Sequence, residues 1–172
     1  GVVHVARDIT ERKRAERDLA HHQALLETVI KQVPLGISLM DLSGNVILTN
    51  QMAGNIIGYS NIRSSIEERD RDILYRYPDG RRYVLAELPG MRSLNNGEVV
   101  TDEEMLITRG DGTEATLLVS SSPLRDEAGA LTGAVVSFHD ITERKRTEGA
   151  LRESERQLRH ARDLLEAVTA GT

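Results

Sequence analysis

The chain has 172 residues, enough for one domain with a real core plus extensions but short for two. Its 22 Lys and Arg against 27 Asp and Glu give a formal net charge of −5, which leaves no cationic surplus to neutralise nucleic acid or an anionic membrane. No Cys is present, which excludes disulfides, thiolate metal sites, a cysteine nucleophile and a thiol-linked chromophore, and no apolar run approaches the roughly 20 residues of a membrane helix, so a cytoplasmic setting is expected.

Residues 1–7 precede a motif, Asp8-Ile9-Thr10-Glu11-Arg12-Lys13-Arg14, that returns as Asp140-Ile141-Thr142-Glu143-Arg144-Lys145-Arg146. A second echo, Leu25-Leu26-Glu27-Thr28-Val29 against Leu164-Leu165-Glu166-Ala167-Val168, is spaced one heptad further apart, so the intervening chain was lengthened without rotating an apolar seam. That seam runs through Ala15, Leu19, His22, Leu26, Val29 and Val33 in a helix over 8–33. Asp8 with Glu11 has the spacing of a capping box, as does Asp140 with Glu143, which predicts helix starts near residues 9 and 141.

From Pro34 the period becomes strand-like. Gly36 to Leu42 reads as a strand, Ser43-Gly44-Asn45 as a turn, and Val46 to Thr49 as the hairpin partner. Asn50 caps a short helix through Ile57, which Gly58 ends. Residues 61–86 are charged and poorly periodic and read as short helical turns with a loop at Pro78-Asp79-Gly80. Pro89 and Gly97 bracket one more short helix. Three strands follow, Val99 to Thr108, Thr113 to Pro123 and Leu131 to His139, joined at Asp111-Gly112 and at Asp126 to Gly129. The second amphipathic helix, 141–172, carries Thr147, Leu151, Ser154, Leu158, Ala161, Leu165 and Val168 along its seam. This order predicts an α+β fold, with helices over one face of an antiparallel sheet.

Several stretches together resemble a PAS domain with flanking signalling helices. They are Asp41-Leu42-Ser43-Gly44-Asn45-Val46 leading to Asn50, Ile57-Gly58-Tyr59, Gly97-Glu98, Asp111-Gly112-Thr113, Ser122-Pro123-Leu124 with Gly129, and Asp140-Ile141-Thr142. The resemblance implies a five-stranded antiparallel sheet over 34–140, with short helices on one face and coiled-coil helices at 8–33 and 141–172. It makes residues 1–7 the last strand of an upstream PAS domain, and such a strand without its sheet is expected to be disordered, helical or paired with another copy. The parent is then a multi-PAS bacterial or archaeal protein, a sensor histidine kinase of a two-component system. Its partners are a second copy through the flanking helices, adjacent PAS domains and an output domain, without nucleic acid or direct membrane contact.

No convergent nucleophile, base and orienter is visible, so no catalytic residue is expected. Ser120-Ser121-Ser122 lacks an elbow motif and reads as a small-residue stretch in a strand, and Gly110-Asp111-Gly112 as a turn. His21 and His22 read as surface helix residues, because no kinase dimerisation motif surrounds them. By strand alternation Leu117, Val119 and Ser121 share one face, as do Ala134, Val136 and Phe138. The resemblance turns these faces inward under the helices, where Arg92 and Asn95 are the polar groups expected to meet a ligand. Haem-binding relatives ligate iron from a helix over that pocket, but His4, His21, His22, His139 and His160 all lie outside 34–138. Light-sensing relatives trap flavin with a Cys, absent here, so haem and covalent flavin are disfavoured and noncovalent flavin or a small metabolite is left. No metal site is expected. Asp140, Ile141, Thr142 and Glu143 are the expected signal-coupling residues. The module is read as sensing a ligand or partner state and relaying it through its helices; the alternative is a ligand-free dimerisation spacer.

Overall fold

The strands Gly36–Met40 and Glu114–Arg125 bury every second residue over most of their length, and six strands pair into one sheet. The structure, a computed structural model, describes residues 2–58, 73–109 and 111–170, with side chains from residue 11 onward. In chain order the elements are α1 (Val2–Gln32), β1 (Gly36–Met40), β2 (Val46–Thr49), α2 (Gln51–Ile57) and β3 (Leu74–Arg76). A 3-10 turn, Leu85–Glu87, leads to α3 (Pro89–Asn96), β4 (Val100–Thr108), β5 (Glu114–Arg125), β6 (Leu131–Asp140) and α4 (Thr142–Ala170). All neighbouring strands are antiparallel, in the order β2-β1-β6-β5-β4-β3. The first strand therefore lies beside the last, with Gly36 opposite Phe138 and Ser38 opposite Val136.

The hairpin turns share one device. Asp41 Oδ1 accepts from the backbone N–H of Ser43 and of Asn45, both at 2.9 Å, and Asp126 Oδ1 accepts from Ala128 and Ala130 at 3.0 and 2.9 Å. Each turn then closes with a glycine at positive φ, Gly44 at 83° and Gly129 at 83°, a region an L side chain rarely adopts. The Asn45 N–H, with its neighbours, holds the Asp41 carboxyl below its ordinary range.

Asn50 ties three elements together. Its Oδ1 accepts from Ile37 N and from Ala53 N at 3.0 Å, the second bond capping α2. Its Nδ2 donates to Ile30 O near the end of α1 at 3.0 Å and to Leu35 O at 2.8 Å. Gly58, at φ 79°, ends α2. The core lies between the sheet and the short helices, around Ile107, Leu117, Val119, Ala134 and Phe138. Close approach is built in: a Cβ on Gly36 would sit 2.2 Å from the Phe138 ring, and one on Gly90 would sit 2.6 Å from Met40 Sδ.

Three expectations change. The sheet has six strands rather than five, because Leu74–Arg76 pairs with the end of β4; three residues are too few to carry a visible alternation. Of residues 61–86, 61–72 lie outside the described residues; Tyr77 to Gly80 forms a tight turn, and Arg76 bridges Arg82. The first helix runs unbroken from Val2 through residues 8–11, so it does not start near residue 9. Residues 2–7 are thus helical rather than extended, one of the fates expected of a strand without its sheet, since a helix satisfies backbone groups internally. Among the described residues no helix is long and apolar enough to cross a membrane.

Replacing Asn50 by Ala removes the cap and leaves two carbonyls and two N–H groups short of partners. The expected loss is roughly 2–4 kcal/mol, read from the urea midpoint at unchanged slope.

Candidate functional site: a core cavity and the strand–helix junction

Packing between α3 and the sheet leaves a cavity of about 90 Å³. Ser38 and Met40 of β1, Met105 of β4, Leu117 and Val119 of β5, and Val136 and Phe138 of β6 form its sheet side. Ile57, Tyr75 and the Leu88–Met91 segment complete the described lining. The void is several times larger than a single water requires, yet well below the roughly 300–1,000 Å³ of drug-sized ligand pockets. Of the residues expected to form a pocket, Leu117, Val119, Val136 and Phe138 meet here. Ser121, Arg92 and Asn95 do not.

Each absentee has a physical reason. Ser121 is buried against α3, where its hydroxyl lies 2.7 Å from that of Ser93, which also bonds Glu98 O at 2.7 Å. Asn95 is exposed on the outer side of α3. Arg92 is drawn sideways into a carboxylate cluster, donating to Glu103 at 2.8 and 3.1 Å and to Glu98 at 3.0 and 3.1 Å. Tyr83 OH donates to the same Glu103 carboxylate at 2.6 Å, and its ring stacks on Tyr77 at 3.6 Å. Burial, aided by the Glu103 hydrogen bond, pushes the Tyr83 phenol well above its ordinary value. Burial also pushes Glu103 upward, but the hydrogen bonds from Arg92 and Tyr83 outweigh it and hold the carboxyl below its ordinary value. The cluster pins α3 to β4 at the bulge beside Asp102, whose φ is 50°.

The second feature is the exit from the sheet. Pairing of β5 with β6 extends to Leu117 opposite Asp140, and it does not stop there: Ile141 N donates to Thr116 O at 2.9 Å. Thr116 N in turn donates to Thr142 Oγ1 at 3.0 Å, while Asp140 Oδ1 accepts from Thr142 N at 2.9 Å and from its hydroxyl at 2.5 Å. The other Asp140 oxygen pairs with Arg109, whose Nε donates to Ile56 O at the end of α2 at 2.7 Å. Ile141 is buried, 2 % exposed, and Lys145 on the first turn of α4 pairs with Glu104 of β4 at 2.5 Å.

Asp140, Ile141 and Thr142 thus form one knot, but Glu143 points outward and accepts from Arg146. The capping box expected of Asp140 and Glu143 is replaced by an Asp–Thr turn with Ile141 at the helix cap, its carbonyl accepting from Lys145 N at 2.9 Å. Arg109 and Thr116 were not singled out in the sequence, because what recruits them is strand register rather than a local motif; Lys145 stands in the repeated motif, but its partner Glu104 is set by the same register.

Other candidates resolve into structure. Ser120 Oγ accepts from Asp102 N at 2.9 Å. His21, His22, His139 and His160 are exposed. Among the described residues no cluster of His, Asp or Glu suits a metal ion.

The family model described as PAS domain matches residues 34–143. The chain is 27 % identical over 153 residues to the C4-dicarboxylate transport sensor protein DctS of Rhodobacter capsulatus, covering 88 % of this chain and 22 % of that protein. The chain therefore spans about a fifth of the length of that curated relative. Among solved structures it is similar to the PAS domain of an HTR-like protein from Haloarcula marismortui, with a TM-score of 0.53 and 23 % identity over 75 % of this chain and 99 % of the other. The PAS domain of the fruit-fly ELK potassium channel gives a TM-score of 0.54 at 15 % identity, over 70 % and 97 % of the two chains. Likeness to domains of such different parents fixes a fold and not an output.

The Glu103 cluster makes a pH prediction. A carboxyl depressed in the folded state stabilises above its ordinary value of 4.5 and loses that contribution as pH falls through its lower folded value. Glu103→Gln is expected to cost about 1–3 kcal/mol at neutral pH, with the gap to the unaltered chain narrowing below pH 4.5 in thermal unfolding.

Proposed function

This chain belongs to the PAS domain family, and on that premise we propose that it is the sensory relay of a larger signalling protein. A small ligand or partner state is detected at the cavity under α3, and the response passes along β6 into α4 and on to an output domain outside the chain. The observation that carries this reading is continuity. Val136 and Phe138 line the cavity, and the same strand runs without a break into the Asp140–Thr142 knot and the first turn of α4. A small change in β6 therefore has no slack in which to dissipate and must tilt or rotate the helix.

The exposed seams support a paired state. Leu151, Leu158 and Leu165 are 60 %, 69 % and 67 % exposed along one stripe of α4, and Leu19 and Leu26 are similarly bare on α1, as expected of helices that pack on a second copy. In this reading residues 1–7 derive from the end of an upstream PAS domain, 8–33 and 141–172 are signalling helices and 34–140 is the sensor. The module works in the cytoplasm without catalysis of its own, and a histidine kinase is the output that the sequence resemblance implies, in line with a relative that is named a sensor protein. A ligand-free dimerisation spacer is the second reading, favoured by a cavity of only about 90 Å³.

In the full-length protein, a Gly-rich insertion after Thr142 is expected to disconnect output from input, whereas a one-heptad insertion within α4 keeps the seam in phase and preserves signalling. Undiminished stimulus-dependent output from the Gly-rich variant would refute the relay.

A further inference from the structure

The walls of the cavity restrict what it can hold. Its described lining is aliphatic carbon, the Phe138 ring and the thioethers of Met40, Met91 and Met105, with oxygen supplied by Ser38 and Tyr75. An ionised ligand would need an opposing charge beside it, since an unpaired charge in such surroundings is prohibitively unfavourable. The guanidinium carried by the overlying helix, Arg92, is already held by Glu98 and Glu103. Thioethers instead adapt their shape to small apolar bodies.

Proton counting at the polar end sharpens the choice. The Thr49 hydroxyl sends its single proton to Ile37 O at 3.1 Å, so in the 3.3 Å contact between the two hydroxyls Ser38 is the donor. With its proton directed to Thr49, Ser38 Oγ presents its lone pairs to a molecule in the cavity. Size sets the last limit: a dry engineered cavity of about 150 Å³ admits benzene, and this one measures about 90 Å³.

Resting on the sensory reading above, we propose that the cavity binds a neutral, chiefly apolar molecule of about four to six non-hydrogen atoms that carries one hydrogen-bond donor. Among the described residues none at the cavity offers a free cation to a dicarboxylate, the class in the name of the transport sensor relative.

The chain's four methionines supply the test. Met40, Met91 and Met105 line the cavity, whereas Met52 packs at the margin of the core and serves as an internal control. In the full 172-residue chain labelled at its methionine methyl carbons, butan-1-ol is expected to shift the three lining signals saturably and leave Met52 in place. Ser38→Ala is expected to weaken that binding about three- to tenfold. Butyrate and succinate are expected to move none of the three. A saturable response to either anion without one to butan-1-ol overturns the neutral class and leaves the sensory relay standing. Silence of the three lining methyls toward every probe, or an equal shift at Met52, overturns the binding site itself, while the relay is judged separately by the insertion after Thr142.

Discussion

The hydrogen-bond ladder between β5 and β6 extends one step past the end of the sheet, into the residue that caps α4. Thr116 offers both its carbonyl and its N–H to the junction, and Ile141 places its side chain in the core at 2 % exposure. Swinging the helix away would expose a buried aliphatic side chain and strand a buried N–H, a combination costing several kcal/mol. Motion between sheet and helix is therefore restricted to concerted tilts of both. Asp140 extends the constraint sideways, because Arg109 joins its carboxylate to the last turn of α2.

Polar and apolar chemistry are partitioned around α3. Its inner side meets Met40 and Val136 so closely that only glycine fits at residue 90, and its polar side is pinned by Arg92 to carboxylates on and before β4. The charges lie at the rim and the void lies beneath, so α3 is anchored by one edge while its other edge rests on flexible thioethers.

Much of this was legible in the residues. Asn50 and Gly58 marked both ends of α2, and Pro89 and Gly97 those of α3, because caps and left-handed turns are settled by local chemistry. Alternation found β4, β5 and β6 to within two residues at each end. Long-range register was not legible, and the site depends on it. Arg92 looked like a polar group above a pocket, but nothing nearby in sequence announces that a bulge in β4 carries Glu103 to it. Likewise nothing in the sequence sets Met40 and Met105 apart, and only the pairing of their strands into one sheet makes both of them walls of a void. Leu74–Arg76 was missed because a strand of three residues is defined by its partner rather than by its own pattern.

The pairing of β1 with β6 has a consequence for the order of assembly. Gly36 must wait for Phe138, and Met40 for Ala134, so the amino-terminal hairpin leaves the ribosome with one edge bare. Non-local closure of this kind slows folding relative to local hairpins. The β1–β2 pair can form early, but its neighbour arrives only after the β4–β5 hairpin has been made. Insertion of β6 between the two halves then completes the sheet, and the first turn of α4 follows it out of the exit tunnel. The strand that finishes the domain is the one that continues into the helix, so a newly made chain anchors the first turn of α4 only as its core closes.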